Sequence, residues 1–207
     1  MANKAKKPTW ASVKAQLQQM DSRALVNLLG DIYRLSAENR RFLHARLLDS
    51  KIELDKYRQL VEDAVYPNPL GRQPIRVSEA KRLIRHYRQA TSDIEGTVDL
   101  MLSFVEAGTE LAADLGYGEE KYFAALERTL DDITDGLADL SPESRRNAIE
   151  RIQEIAFEAK SIGWGYCDST QEIAVRANET LTSPTAVNRS GSRLRPRCSD
   201  GALPSRE

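Results

Sequence analysis

The chain is short of the residues that most often carry chemistry. Its 207 residues include two histidines, His44 and His86, and two cysteines, Cys167 and Cys198. A carboxylate-bridged di-iron bundle needs Glu-x-x-His on facing helices. Three residues before His44 stands Arg41, and three before His86 stands Leu83, so that motif is missing. A structural zinc site needs four Cys or His ligands at close spacing, which this inventory cannot supply. A cysteine nucleophile needs a base beside it, and neither histidine is near Cys167 in sequence. Beside Trp164 and Tyr166, Cys167 reads as a small buried hydrophobe. No G-x-x-x-x-G-K-[ST] and no G-x-G-x-x-G occurs. No catalytic residue, no metal and no cofactor is expected. The rival enzyme reading would have to fold His86, Cys167 and a carboxylate together.

Long apolar runs are missing too. Nothing approaches the ~20 residues of a membrane-spanning helix, so no membrane span is expected. "MANKAKKPTW" has lysines without an apolar core after them, which predicts no secretory leader and a cytoplasmic location. The two cysteines are then expected to be reduced thiols. Strict apolar–polar alternation, the mark of a half-buried strand, is missing from every window.

What is present is helical periodicity. Thr9 is a good N-cap for a helix carrying Trp10, Val13 and Leu17, and Asp21 for one carrying Leu25, Leu28, Leu29 and Ile32. Ser36 starts a third, with Phe42, Leu43 and Leu47 inward. The polar stretch 49–51 either interrupts that helix or merely faces water, and helix continues through Leu54, Tyr57, Val61 and Ala64. "YPNPLGRQP" (66–74) must be a loop. Ser78 is the expected cap of a helix with Ala80, Leu83, Ile84 and Tyr87 on one face. A long helix from Ile94 ends at "GYG" (116–118), with Gly108 a weak point in it. Another spans about 119–140. Ser141-Pro142 opens one more, with Ile149, Ile152, Ile155 and Phe157 inward. The prediction is an all-α domain of about seven or eight helices over residues 9–178, either a closed bundle or an array of helical hairpins. Residues 1–8 read as a flexible start. Residues 179–207, rich in Arg, Ser and Pro, read as a disordered basic tail.

Two local features are singled out. "LSAENRRFLHARL" (35–47) echoes "LSPESRRNAIERI" (140–152), either as a duplicated unit or as two helix starts obeying the same capping rules. "SIGWGYCDS" (161–169) reads as a helix-to-helix corner. There Gly163 is expected to be a left-handed C′ glycine and Asp168 or Ser169 the next N-cap. Trp164 is expected to seal the core, with Tyr166 pointing the other way and Gly165 allowing close backbone approach.

Charge is segregated. Residues 1–90 carry 18 Lys and Arg against 9 Asp and Glu, while residues 91–140 carry 2 against 13. Asp131, Asp132, Asp135 and Asp139 read as a solvated acidic face. Arg72, Arg76, Lys81, Arg82, Arg85 and Arg88 are opposed locally only by Glu79 and predict a cationic ridge on the helix after the 66–74 loop. Such a ridge could meet nucleic-acid phosphates, an anionic lipid surface or an acidic protein. It could equally face the acidic block of its own chain or of a second copy. The sequence pI near 6.2 is below that of a dedicated nucleic-acid binder.

Several segments together resemble a family: "WASVKAQL", "LVNLLGDIYRLSAENRRFLHARL", "YPNP", "SEAKRLIRHYRQA", "DLMLSFVEAG" and "IGWGYCD". They look like small bacterial all-helical proteins catalogued only as a domain of unknown function. The resemblance covers about residues 8–175 and implies a mostly helical cytoplasmic protein, with no activity or cofactor to carry over. The functional expectation is a non-enzymatic protein–protein interaction module that self-associates through oppositely charged faces. The alternative is an accessory nucleic-acid binder using the basic helix over 72–88.

Overall fold

A computed structural model describes residues 8–48, 50–68, 71, 73–163 and 165–182. The expectations for the N-terminal start, for Arg72, for Trp164 and for nearly all of the 179–207 tail lie outside them. Among the described residues the chain is all-α, with no strand. Its helices are α1 (Trp10–Leu17), α2 (Ser22–Leu35), α3 (Ala37–Leu47), α4 (Ser50–Val65), α5 (Val77–Thr91), α6 (Ile94–Leu115), α7 (Glu120–Gly136), α8 (Pro142–Glu158) and α9 (Tyr166–Thr182). That is more than the seven or eight expected, because Leu48 is extended and breaks α3 from α4.

Capping chemistry sets most of the starts. The Thr9 hydroxyl accepts from the Ser12 amide, and the Ser12 hydroxyl accepts from the Thr9 amide. Asp21 accepts from Ala24 N at 2.7 Å, and Ser36 from Asn39 N at 3.0 Å. Ser141 accepts from Ser144 N at 3.3 Å, with Pro142 behind it. Each satisfies an amide that the helix itself leaves unpaired. α5 differs from expectation. It begins at Val77 after Arg76, so Ser78 lies inside the first turn rather than at the cap.

α6 is the axis of the body. It packs against α4, α5, α7 and α8, and α9 closes the far side against α7 and α8. This is a bundle. Leu100, Leu102, Phe104, Val105 and Leu111 of α6 are buried. They meet Tyr57, Val61 and Val65 of α4, the Ala80–Leu83–Ile84–Tyr87 stripe of α5, Leu126, Leu130 and Ile133 of α7, and Ile149, Ile152 and Ile155 of α8. α6 runs unbroken through Gly108, because that glycine is a contact and not a weak point. A Cβ there would lie 2.6 Å from Leu126 Cδ2, and the Gly108 carbonyl accepts from Tyr122 Oη at 2.7 Å. Two apolar residues expected inside are outside. Phe157 is 67% exposed beneath Lys160, and Leu47 is exposed at the end of α3.

The corner at 161–169 also differs. Gly165, not Gly163, has the left-handed backbone, with φ of 73°. A Cβ on Gly165 would meet nothing within 4 Å. The residue is glycine because of its dihedral and not because another helix comes close. α9 starts at once with Tyr166, so Asp168 sits in its first turn instead of capping it. Tyr166, expected to point the other way, is itself in the core. It is fully buried, its ring lies 4.9 Å from that of Phe123, and its hydroxyl hydrogen-bonds Thr109 Oγ1 at 2.8 Å.

Candidate functional site

The basic ridge is divided by its neighbours. Lys81 leans towards α7, donating to the Ala125 carbonyl at 3.1 Å with its Nζ 5.7 Å from the Phe104 ring. Burial there holds its ammonium below the usual lysine value, with Arg128 pushing the same way. Arg82 leans towards α3. Its guanidinium grips Glu79 at 2.9 and 3.1 Å and reaches Glu38 at 2.9 Å. Arg76, Arg85 and Arg88 are exposed and make no ion pair among the described residues. Arg85 and Arg88 line a groove of about 420 Å³ together with Ile84, Met101 of α6 and Asp132 of α7. Residues 81 and 82 lie about 100° apart around α5, so their side chains reach different neighbours, with Arg85 between them on the same face.

The acidic block draws its partners mostly from elsewhere. Asp99 on α6 accepts from Arg58 of α4 at 2.6 Å and from Arg151 of α8 at 2.7 Å. Arg151 also holds both oxygens of Glu106 at 2.6 Å and reaches Ser103 at 3.3 Å. Asp131 pairs with Arg176 of α9. The Asp99 lattice stitches α4, α6 and α8 together, and the Asp131 pair separately ties α7 to α9. The lattice borders a groove of about 460 Å³ between α4, α6 and α8, but both arginines spend their donors on carboxylates already in place.

The two histidines sit at the joints of α3. His44 bonds Tyr33 of α2 at 3.0 Å. His86 of α5 bonds the Tyr57 hydroxyl of α4 at 2.7 Å and lies 3.9 Å from Glu38 of α3. Burial pushes His86 below the usual imidazole value and Tyr57 up to about 12. Cys167 is half-buried on α9, and no hydrogen bond joins its thiol to either histidine. No group of three or more metal-ligating side chains occurs among the described residues, and no described helix is long and apolar enough to cross a membrane. The echoed segments share their serine caps but not their arginine roles. Arg46 caps the Ala90 carbonyl, whereas its counterpart Arg151 holds two carboxylates.

The feature that sequence reasoning missed lies in the first two helices. Neither α1 nor α2 contains a buried residue. Among the described residues α2 packs substantially on α3 alone, and α1 packs substantially on no other helix. Yet both carry apolar stripes. Trp10 is 69% exposed, Val26 66% and Leu29 46%, with Val13, Ile32 and Tyr33 also open. Around α2, residues 24, 25, 26, 28, 29, 32, 33 and 35 form one apolar arc, and Arg23, Asn27, Asp31 and Arg34 lie on the other side. Ala24, Leu25 and Leu28 are half-covered. Val26, Leu29 and Tyr33 form the bare part. Monomeric soluble domains rarely leave so much contiguous apolar surface without a use for it.

No family model, no curated protein and no solved structure matches this chain. Geometry alone therefore carries the functional conclusion.

Proposed function

We propose that this protein is a non-enzymatic helical interaction protein whose working element is the α1–α2 arm. The observation that carries it is the bare apolar face of that arm, beside a body whose Asp99 and Arg82 clusters are internally paired. The α4–α9 bundle closes its own core, so nothing in it needs the arm. An eight-residue helix such as α1 is marginal in water unless something packs on it. Its own chain supplies no such surface among the described residues. Another protein chain laid against the arm does. The test is capture of the full chain's binding partner before and after Leu29→Asp. Binding abolished while the body's thermal melt is unchanged supports the reading. Binding that survives the substitution moves the function elsewhere.

A second reading has one observation behind it, the exposed Arg76, Arg85 and Arg88, which make no ion pair among the described residues. Three phosphate contacts would give log K a slope of about −3 against log salt on duplex DNA. Salt-dependent binding abolished by Arg85→Glu with Arg88→Glu would favour this reading. No binding at low salt would sink it.

A further inference from the structure

Resting on the interaction reading just given, we infer that the occupant of the arm's apolar face is a second copy of this chain. Two α1–α2 arms close on each other, with each α1 folding onto the shared seam only in the pair, as an intermolecular four-helix bundle with two-fold symmetry.

The stripe has the spacing for this. Ser22, Val26, Leu29 and Tyr33 on α2 are separated by four, three and four residues. That seam packs against its own antiparallel copy by knobs into holes. Leu25 and Ile32 flank the seam, and on α1 the stripe Trp10–Val13–Leu17 supplies the second layer. A two-fold contact demands a surface that fits itself, with no like charges meeting. The α2 arc meets that condition, because Arg23, Asp31 and Arg34 all lie on the far side, and Arg34 is already paired with Asp31. A partner chosen by charge would find none to read on this face.

Area points the same way. Trp10, Val13, Val26, Leu29, Ile32 and Tyr33 leave on the order of 600 Å² open per copy, taking ordinary side-chain areas. Two copies together bury about 1,200 Å², the lower edge of what specific, stable interfaces use. The chain's own remaining segments are poor substitutes. Residues 183–207 contain only Val187, Leu194 and Leu203 as large aliphatic residues, and residues 1–7 begin with Met1 and have none after it.

Sedimentation velocity of the full chain across about 1–100 µM reads the answer, since self-association follows mass action. The expected result is a dimer at the top of the range. Leu29→Asp or Val26→Asp should weaken it at least tenfold, while Leu29→Met, which keeps the apolar volume, should leave it in place. Far-ultraviolet melts should show the α4–α9 body intact in every variant. A dimer indifferent to both aspartates overturns the assignment of this face. A wild-type monomer that brightens an apolar dye, with the brightening lost in Leu29→Asp, overturns the second copy but keeps the interaction reading. A wild-type monomer with no dye response and no change in Leu29→Asp overturns both.

Discussion

Replacing Arg151 with alanine separates a structural charge lattice from a ligand site. Arg151 is 18% exposed and makes contacts to Asp99, Glu106 and Ser103. Asp99 and Glu106 are themselves 27% and 34% exposed. Removing one partner of a fully buried pair costs about 3–5 kcal/mol, because the remaining charge is stranded. An exposed pair is worth about 0–1 kcal/mol. These carboxylates lie between the two limits, and Arg58 still holds Asp99. A loss of about 2–3 kcal/mol is therefore expected. For a chain of this size that lowers Tm by about 5–10 °C. The assay is thermal unfolding followed at 222 nm, with urea midpoints as a check. Arg151→Met, which keeps much of the stem but not the charge, should fall nearly as far. Adding Glu106→Gln to Arg151→Met should recover part of the loss by removing the stranded carboxylate. If Arg151→Ala shifts Tm by less than about 2 °C, or raises it, the lattice does not hold the helices together. The groove between α4, α6 and α8 would then be reopened as a place where the arginine waits for a ligand.

Three other expectations follow from single residues. His86 is held below its ordinary value, near 6.5, mainly by burial, with Glu38, Arg41, Arg82 and Tyr57 around it. The unfolded chain takes up that proton more readily, so stability present above about pH 6.5 falls as the pH drops through the folded value. Urea midpoints at pH 7.5 and 5.5 should therefore differ more in the wild type than in His86→Gln, and equal losses would contradict this. Gly165→Ala forces a left-handed alanine and should cost about 1–2 kcal/mol, read as a lower thermal midpoint. Gly136→Ala, at an ordinary dihedral with open space around it, should be neutral or stabilising by up to about 1 kcal/mol; a loss like that of Gly165→Ala would refute the distinction.

The all-α class and most helix starts were legible because capping is local. Thr9, Asp21, Ser36 and Ser141 each act on an amide three residues on, and the sequence shows both ends of that bond. The apolar face of α5 was legible for the same reason, since residues 80, 83, 84 and 87 repeat with the helix turn. Tertiary facts were not. Periodicity says which face of α2 is apolar but not whether anything covers it, so the bare arm was invisible. The partners along the arginine ridge were hidden for a related reason: Glu38 and Ala125, which Arg82 and Lys81 reach, are each 44 residues away. Tyr166 was expected to point away from the core, because the segment reads as an extended link. It is the first residue of α9 and is buried, with its hydroxyl on Thr109, a partner 57 residues distant.

Self-association through the arm can be read directly by amide hydrogen exchange over residues 10–35. The full chain would be compared at about 2 and 200 µM, where an associating surface changes its population. Protection that rises with concentration over α1 and α2, while the α4–α9 body stays constant, is the predicted result. Fast exchange over α1 and α2 at both concentrations would contradict it.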